Sequence, residues 1–113
     1  MSKPTFHPLL TLTVIAAAAI AKERRFIGFD GNIAAAGAKA VGSNPVTAAA
    51  GEAMPVDSHG VILVEAGAAV ARGAQVQGDA DGRAITLAGG VSNGYALAAA
   101  AAAGELIPIV RGI

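Results

Sequence analysis

Three consecutive residues, Asp57, Ser58 and His59, have the side-chain types of a hydrolytic triad. In a triad the histidine takes the proton of the serine hydroxyl, while the carboxylate holds the imidazole ring in place. These groups come from distant positions, because adjacent residues on one strand or turn cannot align a base with a nucleophile. The pattern therefore predicts a polar turn at residues 57–60 and no catalytic site.

The segment from Asp79 to Gly82 has the acidic spacing that begins a calcium-binding loop. An EF-hand loop needs more oxygen ligands and a glutamate at its twelfth position, which is Gly90 here. The segment instead predicts a type I′-like turn between two strands. His7 and His59, the two histidines, have no second ligand at metal-binding spacing. We therefore expect no metal ion, no cofactor and no enzymatic activity.

The composition indicates a small, mainly β domain with a thin core. A chain of 113 residues fits one domain. Hydrophobic residues make up 54% of it, but 29 residues are alanines, which gain little free energy from burial. The chain also has 15 glycines and no tryptophan. A core with so few large side chains is typical of a subunit that partners complete.

Charge and hydropathy argue against several kinds of partner. Eight Lys and Arg balance eight Asp and Glu, whereas nucleic-acid-binding domains usually carry a basic face. The basic cluster at residues 22–25 is interrupted by Glu23 and predicts a solvated segment. The apolar run at residues 9–21 is shorter than the ~20 residues that span a bilayer. We expect neither a nucleic acid nor a membrane as partner.

Residues 1–12 are expected to form an extended N-terminal arm before a single β-rich domain at residues 13–113. Pro4 and Pro8 disfavour a helix in this arm. The run at residues 9–21 is similar to the apolar part of a signal peptide and ends in an Ala-Ile-Ala cleavage pattern. In contrast, polar and apolar residues alternate from Leu10 to Val14, which predicts a strand. Both interpretations remain open from the sequence.

Short β-prone segments separated by glycine-rich turns follow. Val61 to Val64 are four consecutive apolar residues, which predict a central strand covered on both faces. A hairpin is predicted around residues 78–82. The other predicted strands lie at residues 25–29, 39–42, 53–56, 75–77 and 83–87.

An alanine-glycine-glutamate element occurs twice, as AAAGEAMPV at residues 48–56 and AAAGELIPI at residues 101–109. Each copy predicts a glycine corner that leads into a short strand. Pro55 and Pro108 predict edge positions or interrupted pairing, because proline has no backbone N–H. A helix over residues 95–103 that ends at Gly104 remains an alternative.

The order of these segments resembles the bacteriophage capsid cement, or head decoration, proteins. The resemblance covers about residues 26–110, and its most specific parts are GVILVEAGAAVARGAQV at 60–76 and GYALAAAAAAGELIPIV at 94–110. It implies a small single-domain β-barrel or β-clip-like (β-tulip-like) fold with little helix. It also implies a homotrimer that stabilises the mature head from its outer surface, at three-fold and quasi-three-fold sites. Such a virion protein is assembled in the host cytoplasm.

The resemblance also implies which residues make contacts. In the similar lambda-type head-stabilising proteins the N-terminal arm reaches onto the major capsid protein, which makes residues 2–12 candidate contacts here. The named candidates in the arm are Lys3, Pro4, Thr5, Phe6, His7, Pro8, Leu9 and Leu10. The candidates for the trimer interface are Tyr95, Leu97, Leu106 and Pro108.

Two other classes of function remain as alternatives. In the first, the chain is a secreted or periplasmic adhesive or filament subunit with residues 1–21 as its signal peptide. In the second, it is a small binding module or enzyme whose site is formed by residues 57–60 or 79–82.

Overall fold

The computed structural model describes residues 6–112, and Lys3, Pro4 and Thr5 of the predicted arm lie outside this range. The described residues form strands and no helix. This part of the chain accordingly has no helix of the length and apolarity needed to cross a membrane. The strands are β1 (His7–Ile15), β2 (Phe26–Gly28), β3 (Ala40–Ser43), β4 (Ala53–Glu65), β5 (Val76–Gly78), β6 (Ala84–Thr86), β7 (Tyr95–Ala96) and β8 (Leu106–Arg111).

Six of these strands form one antiparallel sheet that curls into a half barrel. The order is β2-β3-β4-β8-β7, and β1 pairs with the opposite edge of β4 from β8. The remaining two strands, β5 and β6, form a separate hairpin. The prediction of a mainly β fold is confirmed, and so is the prediction that Val61 to Val64 lie in a central strand.

β4 is one strand of thirteen residues, so the predicted polar turn at residues 57–60 is wrong. Asp57 pairs with Thr11 of β1 on one side and with Ser43 of β3 on the other. The register with β1 skips Ser58, which lies in a β-bulge, and Gly60 follows with a φ of 93°. A bulge and a left-handed glycine bend the strand without ending it, so the polar segment stays paired.

The two halves of the chain repeat one pattern of strand pairing. In the first half, β1 pairs with the first part of β4, and Pro55 lies opposite Thr13. In the second half, the second part of β4 pairs with β8 in the same way, and Pro108 lies opposite Leu63. The other equivalent pairs are Ile15–Ala53 with Glu65–Leu106, Val14–Met54 with Val64–Ile107, and Leu12–Val56 with Ile62–Ile109. The fold is therefore an internal duplication that shares β4 between its halves.

The two alanine-glycine-glutamate elements form equivalent corners of these halves. The Glu52 carboxylate accepts a backbone hydrogen bond of 2.6 Å, and the Glu105 carboxylate accepts two, of 3.0 and 2.9 Å, from residues 101 and 102. Gly51 and Gly104 have φ values of 83° and 94°. These positive φ values suit glycine and turn the chain sharply. The predicted corner is confirmed in both copies.

The alternative of a helix over residues 95–103 is wrong. The Glu105 carboxylate binds backbone N–H groups that a helix would need, which is a known way for a side chain to compete with helical pairing. At the start of the run, Leu97 N–H donates to the carbonyl of Pro108 at 2.9 Å, and β7 ends one residue earlier. Pro108 lies inside the sheet, between β4 and β7, so its predicted edge position is wrong. The register between β8 and β4 continues through Pro108, which lies opposite Leu63, so the alternative of interrupted pairing is not confirmed.

Two apolar clusters pack on the sheet. Successive residues of a strand point to opposite faces, and so Phe26 joins the larger cluster while Ile27 joins the smaller one. The larger cluster has thirteen buried members, of which six are alanines: Ala34, Ala40, Ala66, Ala84, Ala96 and Ala100. The core is thin, as the composition predicts, and it depends on a few large side chains.

Asn44 is fully buried and connects the end of β3 to the loop before β2. Its Nδ2 donates to the carbonyl oxygens of Lys22 and Val46 at 2.8 and 2.9 Å. Its Oδ1 accepts the N–H of Arg25 at 2.9 Å. One side chain therefore satisfies three backbone groups of the two loops that flank β2 and β3.

Asn44→Ala is expected to lower the free energy of unfolding by about 2–4 kcal/mol, because partly buried backbone groups lose their partners. Chemical denaturation followed by circular dichroism measures this difference. Asn32→Ala is the matched control, because the bonds of Asn32 to Asp30 are at the surface. Equal stabilities for the two variants would contradict the prediction.

Candidate functional site

Asp57, Ser58 and His59 do not form a catalytic triad. Ser58 Oγ lies 3.1 Å from Nδ1 of His59. The Asp57 carboxylate instead accepts the hydroxyl of Thr11 at 2.9 Å. Asp57 and Ser58 are each only 4% exposed, and Ser58 and His59 line the edge of the groove described below. The Asp57–Thr11 bond holds β1 to β4, so the Asp57 carboxylate does not orient the His59 ring for proton transfer.

The acidic segment at residues 79–82 connects β5 to β6, so the hairpin predicted around residues 78–82 is confirmed. Asp79 Oδ1 accepts the N–H groups of Asp81 and Arg83, both at 2.9 Å. Of the turn residues only Gly82 has a positive φ, 75°, so the predicted type I′-like turn is wrong. Within residues 6–112 no group of three or more His, Cys, Asp or Glu side chains could hold a metal ion.

The first strand exposes apolar side chains on both of its faces. Leu9, Leu10, Leu12 and Ile15, which we call the β1 surface, are 73%, 44%, 37% and 58% exposed. β1 is an edge strand, since within the described residues it pairs with β4 alone. Edge strands with exposed apolar side chains are uncommon in monomers and are typical of contact surfaces.

The described residues of the predicted arm belong to this same region. Phe6 lies under the guanidinium group of Arg24, whose carbon is 5.2 Å from the ring centroid. His7, Pro8, Leu9 and Leu10 lie in β1 and extend along β4. The start of the described chain is therefore attached to the domain by backbone pairing and by one cation–π contact.

A groove of about 630 Å³ opens beside the β1 surface. Leu12 of β1, Phe29 after β2 and Tyr95 of β7 form its apolar part. Lys39, before β3, and Arg111, at the end of β8, supply its positive charges. We call the site that these five residues form the Arg111 groove.

The predicted interface residues near the second alanine-glycine-glutamate element are not equally placed. Tyr95, Leu97 and Leu106 are 37%, 36% and 42% exposed, so their side chains are available to a neighbour. Pro108 is fully buried between β4 and β7. Pro108 therefore offers no surface to a neighbouring subunit.

Of the five residues of the Arg111 groove, Tyr95 was named from the sequence and Leu12 was included in the candidate contacts at residues 2–12, but Phe29, Lys39 and Arg111 were not singled out. Phe29 and Lys39 flank short strands, and Arg111 is one charge in an apolar C-terminal segment. The strand order brings β1, β3, β7 and β8 around the middle of β4, and this arrangement is not local in sequence. A weak signal was present in Phe29, because it adjoins the Asp-Gly-Asn turn and turns usually lie at the surface.

The chain was compared with protein families, with curated proteins and with solved structures. The family model described as phage cement protein matches residues 5–111, nearly the whole chain. No curated protein and no solved structure matches it.

Proposed function

This chain belongs to the phage cement protein family, and from that premise we propose that it is a homotrimer on the outer surface of a phage head. The family is structural, and its members stabilise the capsid as part of the virion. The proposed binding sites are the three-fold and quasi-three-fold positions of the mature shell, with the major capsid protein as partner. The protein acts by binding and not as an enzyme, and it is assembled in the host cytoplasm.

The family match over residues 5–111 carries this proposal, and the β1 surface supports it. The β1 surface includes Leu9 and Leu10, which the resemblance makes candidates for capsid contact. An exposed apolar strand at a free sheet edge is suited to binding a shell. The exposed side chains of Leu97 and Leu106 support a separate contact between subunits of the trimer.

The proposed mechanism needs no reactive group. A trimer that holds several shell subunits requires them to separate together before the head can burst. Each contact need only be weak, because three linked copies bind with far higher combined affinity than one. A protein that binds the mature shell and not its dissociated subunits stabilises the shell by mass action, by about 2.7 kcal/mol per site at a free concentration of 100 times Kd.

The direct test mixes the purified protein with mature heads that lack it, made from the major capsid protein of the same phage. We expect saturable co-sedimentation, at one trimer for each three-fold and quasi-three-fold site, and a higher temperature of head disruption. Light scattering of the free protein should give the mass of a trimer. A strict monomer that never sediments with heads would contradict the proposal.

The secreted alternative requires removal of residues 1–21. That cleavage would take β1 away from β4 and would remove Ala16 and Ile20, which are buried in the smaller apolar cluster. The segment is thus part of the folded sheet, which does not suit a cleaved signal peptide. Intact mass distinguishes the two functions, because a cleaved product would begin at Lys22.

A further inference from the structure

Arg111 is a partly buried cation without an acidic partner among the described residues. Its Nη2 donates to the carbonyl oxygen of Ala40 at 2.8 Å. Its Nη1 is also buried and has no hydrogen-bond partner within residues 6–112. Burial lowers the pKa of Arg111 below its usual value, the direction expected when no carboxylate offsets the loss of water. A buried guanidinium nitrogen without a partner is costly and needs an explanation.

The rest of the Arg111 groove has the same charge. Lys39 Nζ donates to the carbonyl oxygen of Ser92 at 3.0 Å, and no Asp or Glu lines the groove. Phe29, which is 73% exposed, lies on the apolar side of the groove. A guanidinium and an ammonium beside an aromatic ring fit a carboxylate next to an apolar side chain, because the carboxylate can accept from both cations while the apolar group leaves water.

Hydrogen bonds from one buried side-chain amide hold the cationic part of the groove in place. Asn93 is 1% exposed, and its Oδ1 accepts the N–H of Ala40 at 2.9 Å. Its Nδ2 donates to the carbonyl oxygen of Ala38 at 3.1 Å. These bonds fix the backbone on both sides of Lys39 and the carbonyl that Arg111 contacts. A ligand would therefore find its donors already ordered, which reduces the entropy cost of binding.

A second copy of this chain is poorly equipped to supply the carboxylate. Six of its eight acidic side chains already accept hydrogen bonds within the subunit: Asp30, Glu52, Asp57, Glu65, Asp79 and Glu105. The other two are Glu23, which lies between Lys22 and Arg24 in the sequence, and Asp81, which lines a pocket with Lys22 and Arg83. Positive side chains next to these two acids would repel the cations of the groove.

We propose that the Arg111 groove receives a segment of the major capsid protein that carries an Asp or Glu next to an apolar residue. The carboxylate binds Arg111 and Lys39, and the apolar side chain covers Phe29. This inference rests on the proposed function and adds the chemistry of the partner segment to it. Leu12 belongs both to the β1 surface and to the groove. The proposed contact with the shell therefore includes both of these regions, which meet at Leu12.

The first test measures binding of variants to mature heads. Arg111→Gln and Phe29→Ser are each expected to weaken binding by about tenfold or more, because each removes one half of the recognition. Arg72→Gln is the control, since it removes the same charge from an exposed loop position. Phe29→Ser keeps the test valid if Arg111→Gln unfolds, because Phe29 is mostly in solvent. Light scattering of each variant should still give the mass of the wild-type oligomer.

The second test identifies the partner group. A carbodiimide joins an amine directly to a carboxylate, so treatment of decorated heads should couple Lys39 to an Asp or Glu of the major capsid protein. Peptide mass spectrometry locates the linkage, and heads incubated with the same concentration of Phe29→Ser protein should give less of it than heads incubated with wild type.

Several results would overturn the inference. If wild type binds heads and both groove variants bind as tightly, the groove is not a contact. If a variant dissociates the oligomer, or Lys39 couples to an acid of this chain in a second copy, the occupant is another subunit. Failure of the wild-type protein to bind heads at all would instead reject the proposed function, and the inference with it.

Discussion

Leu9→Thr combined with Leu10→Thr is expected to weaken attachment of the protein to mature heads by at least about 100-fold. Both side chains are exposed in the free subunit, at 73% and 44%, so their apolar area remains to be buried in a complex. Burying one leucine contributes about 1.5–3 kcal/mol, and the proposed trimer presents the pair three times. Threonine retains the β preference of the strand, so the change removes apolar area with little effect on folding.

Val46→Thr combined with Val91→Thr is the matched control. These valines are 45% and 48% exposed, similar to Leu10, and both lie in loops outside β1. The measurements are co-sedimentation with heads and the thermal midpoint of the free protein. Both double variants should unfold within a few degrees of wild type. Equal head binding by the two would show that exposed apolar area in general, and not the β1 surface, is responsible.

Those parts of the fold that depend on short segments were predictable from the sequence. The hairpin around residues 78–82 is signalled by an acidic-glycine turn between two β-prone runs. The central position of Val61 to Val64 follows from four consecutive apolar residues, which need cover on both faces. The corner at Gly51 and its copy at Gly104 follow from a repeated sequence element. In each case the residues that set the structure are close together in the chain.

The errors in the prediction have one physical origin, which is pairing between distant residues. Residues 57–60 have turn chemistry, yet β1 and β3 pair with Asp57 from both sides and keep it in a strand. The polar side chain is tolerated there because Thr11 bonds its carboxylate. Similarly, the alanine run after Tyr95 favours a helix locally, but Glu105 and the pairing with β8 decide its conformation. Tertiary contacts outweigh such weak local preferences.

The internal duplication explains why a repeated nine-residue element was visible while the repeat itself was not. The two halves need the same strand register and not the same sequence. Pro55 and Pro108 occupy equivalent positions in that register, and so do Val14 and Val64. Other residues at equivalent positions are free to differ, and they do. Ser58, one residue after the Asp57–Thr11 pair, corresponds in register to Arg111, one residue after the Val110–Val61 pair. The halves therefore share a frame, and the charged groove is a feature of one of them.

The backbones of β3 and β4 approach each other very closely at Gly42. A single substitution at this glycine tests how close they are. β3 is joined to β4 by one residue pair, Ser43 with Asp57. A Cβ on Gly42 would overlap the carbonyl oxygen of Asp57 and would lie 2.8 Å from Cγ1 of Val56. β3 cannot move away easily, because β2 pairs with its other side at Gly42. The strands can approach this closely only where a side chain is absent.

Gly42→Ala is therefore expected to lower the free energy of unfolding by about 3 kcal/mol or more, a large share of the 5–15 kcal/mol typical of a domain. Gly78→Ala in β5 is the matched control, because its Cβ would lie 3.5 Å from the ring of Phe26, an ordinary contact. Neither glycine has a positive φ, so alanine at Gly78 should leave stability unchanged or raise it by up to about 1 kcal/mol through the unfolded state. Urea denaturation of both variants gives the comparison. Stability of Gly42→Ala within error of wild type would mean that β3 and β4 are farther apart in solution than this sheet requires.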